Sequence, residues 1–384
     1  MDTIHPFPAR MAPELSRQVV DGLPAGSRVI DPMCGSGTVV RHAVEAGHFC
    51  VGRDVDPLAV LMTRAWVTPM GADRLQRDAE RVVQRAREVT GSEAEPPWTD
   101  PSTDEFARYW FAEPQLEQLS RLASVLKACR YQTRDLLRVC FSRLVITKDR
   151  GASLARDVSH SRPHRVTDEN DFDVYVGFLR AAQLVGKRVN AVAIRGTAVV
   201  QQGDVSRLSR EVDGLFDAAM TSPPYLNAID YLRGHRLSLI WFGHSVDELQ
   251  LVRAGSIGAE RGLPEAPFEI DPFIDAPQGR SLPPRYLGWI RRYATDSSGM
   301  LGQLRAVVRP GGRIVLVVGN SLLKGASVDN AGIVIKAARS VGLDLEGRNE
   351  RMIPARRRYL PPPKEGSAFS KRMRSEAVIT FRVP

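Results

Sequence analysis

The chain has 384 residues, 43% of them hydrophobic and 25% charged, a balance that suits a packed globular protein and argues against a disordered or low-complexity one. No apolar run is long enough to span a bilayer, and Met1 to Arg10 lack the apolar core of a signal peptide, so a cytoplasmic protein without membrane contact is expected. The formal net charge is +9, with Arg far outnumbering Lys, which suits a polyanionic partner.

In chain order, Met11–Gly22 has helical periodicity, Arg28–Ile30 reads as a strand, and Thr38–Ala46 as a helix. Phe49–Gly52 is a second strand and Leu58–Trp66 a helix after it. Residues 71–195 read as a mostly helical insertion, with amphipathic patterns at Arg74–Val89, Pro114–Cys129 and Thr133–Thr147. Strands resume at Thr197–Gln202 and Phe216–Thr221. Residues 246–296 are rich in Gly and Pro and read as loops with short helices. Arg313–Val318, reached through Pro310-Gly311-Gly312, and Ala377–Val383 close the pattern. Strands alternating with helices indicate an α/β fold with a doubly wound, mainly parallel sheet. The parts are then 1–70, 71–195, 196–245, 246–296 and 297–384, with the sheet built from the first, third and last.

Four cysteines (Cys34, Cys50, Cys129, Cys140) form no Cys-x-x-Cys pair, so neither a disulfide framework nor a structural metal is expected. His160 and His164 lack a nearby third ligand for a metal.

The first strand runs into Asp31, Pro32, Met33, Cys34, Gly35, Ser36, Gly37 and Thr38. Gly35 and Gly37 permit a tight turn and close approach to a ligand in the crevice at a strand's carboxyl end. The spacing matches neither a Gly-x-Gly-x-x-Gly fingerprint nor a phosphate loop. After the second strand, Asp54 is placed to accept hydrogen bonds from ribose hydroxyls; Asp56 is the alternative, or caps the helix beginning near Pro57. Asp204, after Gln202-Gly203, is either a cofactor contact or a helix cap. His5-Pro6, before the first helix, forms a rigid lead-in.

Apolar Phe216–Met220 leads into Thr221-Ser222-Pro223-Pro224-Tyr225. Two prolines cannot continue a ladder, so the chain leaves the sheet there. Ser222 Oγ and the Pro223 carbonyl are acceptors, Pro224 stiffens the turn, and Tyr225 offers a flat face. Such acceptors suit an exocyclic base amine, a poor nucleophile whose lone pair is delocalised into the ring until its N–H groups are held.

Asp-Pro-Met-Cys-Gly-Ser-Gly-Thr and Thr-Ser-Pro-Pro-Tyr together resemble the S-adenosylmethionine-dependent DNA amino-methyltransferases of the N4-cytosine and N6-adenine family, Ser-Pro-Pro-Tyr type. The resemblance covers residues 5–66, 197–245 and 303–383 and leaves both insertions unassigned. It implies a Rossmann-like class I methyltransferase fold and S-adenosyl-L-methionine as cofactor. Residues 31–38 would face its methionine part, Asp54 its ribose, Asp204 its adenine amino group, and His5-Pro6 would close over the methionine moiety. Ser222, Pro223, Pro224 and Tyr225 would form the catalytic loop, with Tyr225 stacked on a flipped base. The implied substrate is double-stranded DNA, and the implied partners are a cognate restriction enzyme or phage-defence components. Ser rather than Asp at 222 leans toward cytosine N4, with adenine N6 as the alternative. RNA base amino-methyltransferases are a second reading, though they usually spell the loop Asp/Asn-Pro-Pro-Tyr. A cofactor-binding scaffold without catalysis is the third, opposed by the intact Ser222–Tyr225 loop.

Candidate nucleic-acid contacts are Arg150, Ser153, His160 and Arg162 in the first insertion, Arg233 and Arg236 just after the catalytic loop, and Arg357 in a late basic-aromatic loop. Each is equally readable as a solvated surface residue.

Overall fold

The short apolar runs become strands of one seven-stranded sheet in a computed structural model that describes residues 3–7, 10–71, 73–159, 163–226, 231–259, 262–277, 281–353 and 375–384. The chain begins with α1 (Pro13–Val20), β1 (Arg28–Asp31), α2 (Thr38–Glu45), β2 (Phe49–Asp54) and α3 (Pro57–Trp66). The helical insertion follows as α4 (Arg74–Glu88), α5 (Pro101–Trp110), α6 (Glu113–Ala128), α7 (Arg134–Val145) and α8 (Val174–Val189). Then come β3 (Thr197–Gln202), α9 (Leu208–Glu211), β4 (Phe216–Thr221), α10 (Tyr231–Leu239), α11 (Val246–Gly255) and α12 (Pro284–Val307). The chain closes with β5 (Val308–Gly319), α13 (Asn330–Ser340), β6 (Asp344–Met352) and β7 (Ser375–Arg382).

The spatial order is β6-β7-β5-β4-β1-β2-β3. The five strands from β5 to β3 run parallel, and β7 is antiparallel to both β5 and β6. The fold is Rossmann-like, a doubly wound and mainly parallel sheet with a helical insertion. The chain winds from β1 outward to β3, then returns to the other side of β1 at β4. That reversal opens a crevice at the carboxyl ends of β1 and β4, where α/β sheets hold ligands.

Both faces of the sheet are covered, which explains its apolar strands. Val29, Val315 and Val317 pack with Val39, Val40 and Ala43 of α2. Their strand neighbours Ile30, Ile314 and Leu316 point the other way, onto Leu301 and Leu304 of α12 and Ile333 and Val334 of α13.

The helical insertion shares a third core with Leu58, Met62 and Trp66 of α3 and with Leu237 and Leu239 of α10. Arg41 on α2 is fully buried beneath it, donating to the carbonyls of Trp66, Val189 and Val192 and pairing with Glu45. No helix among the described residues is long and apolar enough to cross a membrane.

The expected loop region 246–296 is corrected: its last part is the first half of the long helix α12. Arg, Asp and Ser at solvent-facing positions hide the stripe Tyr286, Ile290, Tyr293, Ser297, Met300, Leu301 and Leu304 that faces the core. Strand β6 was not expected either; Asp344–Met352 is almost wholly polar because it is an edge strand with little buried surface.

Candidate active site

Residues 31–38 turn sharply at the end of β1, with Gly35 at φ +49° and Gly37 at φ +82°. Gly37 begins α2 in the left-handed region, and a Cβ there would lie 2.8 Å from Thr63 Oγ1. Thr63 Oγ1 donates to the Gly35 carbonyl at 3.0 Å, so α3 clamps the turn. Asp31, Pro32, Cys34, Ser36 and Thr38 are buried beneath it, while Met33 and Gly35 are half-buried. Cys34 packs against β2 at Gly52, and burial pushes its thiol well above the usual range.

The structure separates the two acids after β2. Asp54 Oδ2 accepts from the Gly35 amide at 2.9 Å and Oδ1 from the Asp56 amide at 3.0 Å. Asp56 caps α3, accepting from the Leu58 amide at 2.9 Å, while its other oxygen accepts from His235 Nδ1. Asp54 is thus the acid on the glycine loop, and Asp56 the cap. Asp204 is exposed and caps the turn before α9, accepting from the Ser206 amide at 2.8 Å. Gly203 donates to the Asp54 carbonyl at 3.0 Å, which brings Asp204 to the same rim.

This rim is short of positive charge. Burial pushes Asp31 up to about 7, and Asp54 adds to the rise. Burial and the neighbouring Asp56 push Asp54 up to about 7. Among the described residues neither forms an ion pair. A ligand carrying positive charge would restore both to carboxylates.

The expected cofactor contact at His5 is corrected. Its ring is buried, Nδ1 meets the Pro6 carbonyl at 2.6 Å and Nε2 meets Ser142 Oγ at 2.8 Å, so both nitrogens are committed to the fold. Burial and Arg143 push it down to about 3. The segment does reach the glycine loop, through Phe7, whose ring lies 3.2 Å from where a Gly35 Cβ would sit. Phe7 stacks on Tyr231 of α10, with centroids 5.1 Å apart, and leans on His235 at 5.6 Å. Neither Phe7 nor His235 carried a sequence signal beyond proximity to a motif.

Ser222, Pro223, Pro224 and Tyr225, expected as the catalytic loop, stand together at the end of β4, beside β1. Ser222 Oγ donates to the Val317 carbonyl of β5 at 3.1 Å and lies 3.3 Å from the Tyr225 hydroxyl. Pro223 is buried; Ser222, Pro224 and Tyr225 are half-buried. Burial pushes the Tyr225 hydroxyl up to about 12. Ser321 Oγ donates to the Leu226 carbonyl at 2.5 Å, and Asn330 Nδ2 donates to Ser321 Oγ at 2.8 Å. Gly258, at φ +73°, approaches so closely that a Cβ would lie 2.9 Å from the Tyr225 carbonyl oxygen. The loop is therefore braced from β5, α13 and the second insertion.

The nucleic-acid candidates scatter. Ser153 is corrected: it is fully buried between Ala152 and Leu154, where no phosphate can reach it. Arg150 pairs with Asp171. The Arg236 guanidinium lies over the Phe106 ring at 4.9 Å, tying α10 to α5. Arg233 and Arg236 line a shallow groove with Arg253 of α11. His160, Arg162 and Arg357 lie outside the described residues.

No family model matches the chain. It is 25% identical over 271 residues to the type II methyltransferase M.MvaI of Kocuria varians, covering 64% of this chain and 58% of that protein. Among solved structures it is similar to a TehB-like SAM-dependent methyltransferase from Corynebacterium glutamicum, at 11% identity, TM-score 0.31 and coverage of 96% and 87% of the two chains. It is similar too to the rRNA methyltransferase aviRa of Streptomyces viridochromogenes, at 11% identity, TM-score 0.34 and coverage of 98% and 87%. At such scores the fold rests on the strand order itself, and the sequence likeness that bears on chemistry is the one to the type II methyltransferase.

Proposed function

We propose that the protein is an S-adenosyl-L-methionine-dependent methyltransferase acting on an exocyclic base amine in double-stranded DNA, cytosine N4 in preference to adenine N6. The observation that carries this reading is the placement of Ser222 at the end of β4, its hydroxyl hydrogen committed to Val317, next to the Gly35–Gly37 turn and its acids. The likeness to a type II methyltransferase supports it.

The cofactor fits the chain's own residues. Gly35 and Gly37 let the backbone turn sharply at the end of β1, and Asp31 and Asp54 form an acidic rim that favours a cation. Residues 31–38 and Asp54 would hold its methionine and ribose parts, Pro6 would close over it, and Asp204 would meet its adenine. When bound, it supplies a methyl group on a positively charged sulfur.

The remaining work falls to the catalytic loop. Because Ser222 donates to Val317, the Tyr225 hydroxyl is the donor in their pair. One lone pair on Ser222 Oγ is left to accept from the target N–H, and the Pro223 carbonyl is a second acceptor. Holding both N–H groups localises the nitrogen lone pair, and alignment supplies much of the rate. Tyr225, stiffened by Pro224, stacks on the flipped base. Arg233, Arg236 and Arg150 would meet the DNA backbone. A cognate restriction endonuclease or phage-defence component is the partner to seek.

Incubation with methyl-labelled cofactor and duplex DNA or RNA, followed by digestion to nucleosides, tests the reading. The expected product is N4-methylcytosine from duplex DNA. Label in RNA alone would overturn it, and cofactor binding without label on any nucleic acid would favour a scaffold.

A further inference from the structure

Two ties hold the loop 222–226, and both come from one stretch of chain at the end of β5. Ser222 Oγ donates to the Val317 carbonyl at 3.1 Å, at the start of the loop. Ser321 Oγ donates to the Leu226 carbonyl at 2.5 Å, at its far end. Midway between Val317 and Ser321, the Gly319 carbonyl accepts from Asn330 Nδ2 at 2.9 Å, and the same amide nitrogen donates to Ser321 Oγ at 2.8 Å. A hairpin brings these groups together. It pairs Ser321–Leu323 with Ala326–Val328, so that Val328 lies opposite Ser321, and two residues on Asn330 opens α13, fully buried.

The hydrogen inventory gives these bonds a direction that involves no titratable group. A carbonyl only accepts, so the end of the Asn330 amide beside Gly319 is its NH2, and the one hydroxyl hydrogen of Ser321 goes to Leu226. The second amide hydrogen then fills a lone pair of Ser321 Oγ. Donation runs from Asn330 to Ser321 to the carbonyl of Leu226. Asn330 decides where the serine hydrogen points: with an NH2 beside the oxygen, that hydrogen has to turn away, toward the loop.

We propose that Asn330 and Ser321 are positioning residues for methyl transfer, which fix the far end of the catalytic loop and so the aim of the Pro223 carbonyl and the Tyr225 ring. This rests on the catalytic reading of Ser222–Tyr225 above and deepens it. Two prolines stiffen the segment after Ser222, so pinning it at Leu226 as well sets its acceptors as one unit. Alignment is steep: a displacement of about 1 Å costs turnover on the order of a hundredfold. The Gly35–Gly37 turn is held by Thr63 and Asp54 and makes no use of either residue.

The test is steady-state transfer from methyl-labelled cofactor to unmodified duplex DNA, beside calorimetric binding of S-adenosylhomocysteine, for three variants. Ser321→Ala removes the donor to Leu226, and Ser321→Thr keeps a hydroxyl. Asn330→Asp keeps the size but offers at most one hydrogen where the amide offers two. Ser321→Ala and Asn330→Asp should each lose about ten- to a hundredfold in kcat, with KM for DNA and affinity for S-adenosylhomocysteine as in the parent protein. Ser321→Thr should retain most of the turnover. If Asn330→Asp does not fold, Asn330→Ala, which removes both donors without adding a carboxyl, is read in its place with the same expectation. Undiminished kcat in Ser321→Ala or in the Asn330 variant, loss of cofactor affinity in step with kcat, or no recovery in Ser321→Thr overturns the proposal. Parent protein that binds S-adenosylhomocysteine but transfers no label to DNA overturns the catalytic reading, and this inference with it.

Discussion

The Ser222 hydroxyl donates to the Val317 carbonyl across 95 residues of sequence, from the end of β4 to the neighbouring strand β5. That bond decides which way the serine oxygen presents its lone pairs. Ser222→Ala removes the acceptor without disturbing the Gly35–Gly37 turn. Turnover should fall roughly a hundredfold, the scale of losing one aligned transition-state hydrogen bond, with cofactor affinity unchanged by calorimetry. Undiminished methyl transfer would remove Ser222 from the chemistry.

Asp54→Asn keeps an acceptor for the Gly35 amide and removes the charge. Cofactor affinity should drop by about ten- to a hundredfold. In the parent protein, affinity should weaken as pH falls below about 7, where Asp54 and Asp31 take up protons. An affinity flat from pH 8 to 6 would contradict the acidic rim.

The same shift has a stability signature. Asp54 holds its proton up to about 7 in the fold, against about 4 when unfolded. Between those values the folded state binds the extra proton, so this group's contribution declines as pH rises. His5 and His42, pushed down to about 3 and about 4 by burial, act in the opposite sense below about 6.5 and flatten the overall profile. The contrast between Asp54→Asn and the parent isolates the term. The variant's melting temperature, relative to the parent's, should climb from pH 4 to 7 and level off above. A constant difference would show that Asp54 titrates normally.

Gly37→Ala should destabilise by about 2–3 kcal/mol, from a left-handed φ and the clash with Thr63. Gly299→Ala, in the middle of α12 with open space around it, should stabilise by about 0.5–1 kcal/mol. Thermal melts of the pair check both signs.

Arg41→Met leaves the carbonyls of Trp66, Val189 and Val192 without their donor and takes from Glu45 the nearer of its two guanidinium partners, Arg17 remaining at 3.7 Å. The expected cost is about 3–5 kcal/mol in denaturant unfolding. A loss under 1 kcal/mol would mean that water replaces the guanidinium.

The parallel strands were legible because burial on both faces writes itself as short apolar runs such as Val29-Ile30 and Ile314–Val318. The glycine and proline loops were legible because their backbone demands restrict residue type. Edge strand β6 and helix α12 were not, since one buries little and the other mixes polar side chains into its buried stripe. Within the site, Asp54 and Ser222 stood in recognisable spacing. Val317, Thr63, Phe7 and His235 did not, because their roles arise from contacts between segments distant in sequence. His5 misled for the converse reason: its position beside a motif was visible, but its partner Ser142, on α7, was not.

The core that the helical insertion shares with α3 and α10 bears on how such a protein can change. A reader joined by a linker can be exchanged whole, as a cassette. Here, removal of residues 71–195 would strip the covering from Trp66 and Leu237 and strand Arg41. Swapping this segment between relatives would then cost the fold first.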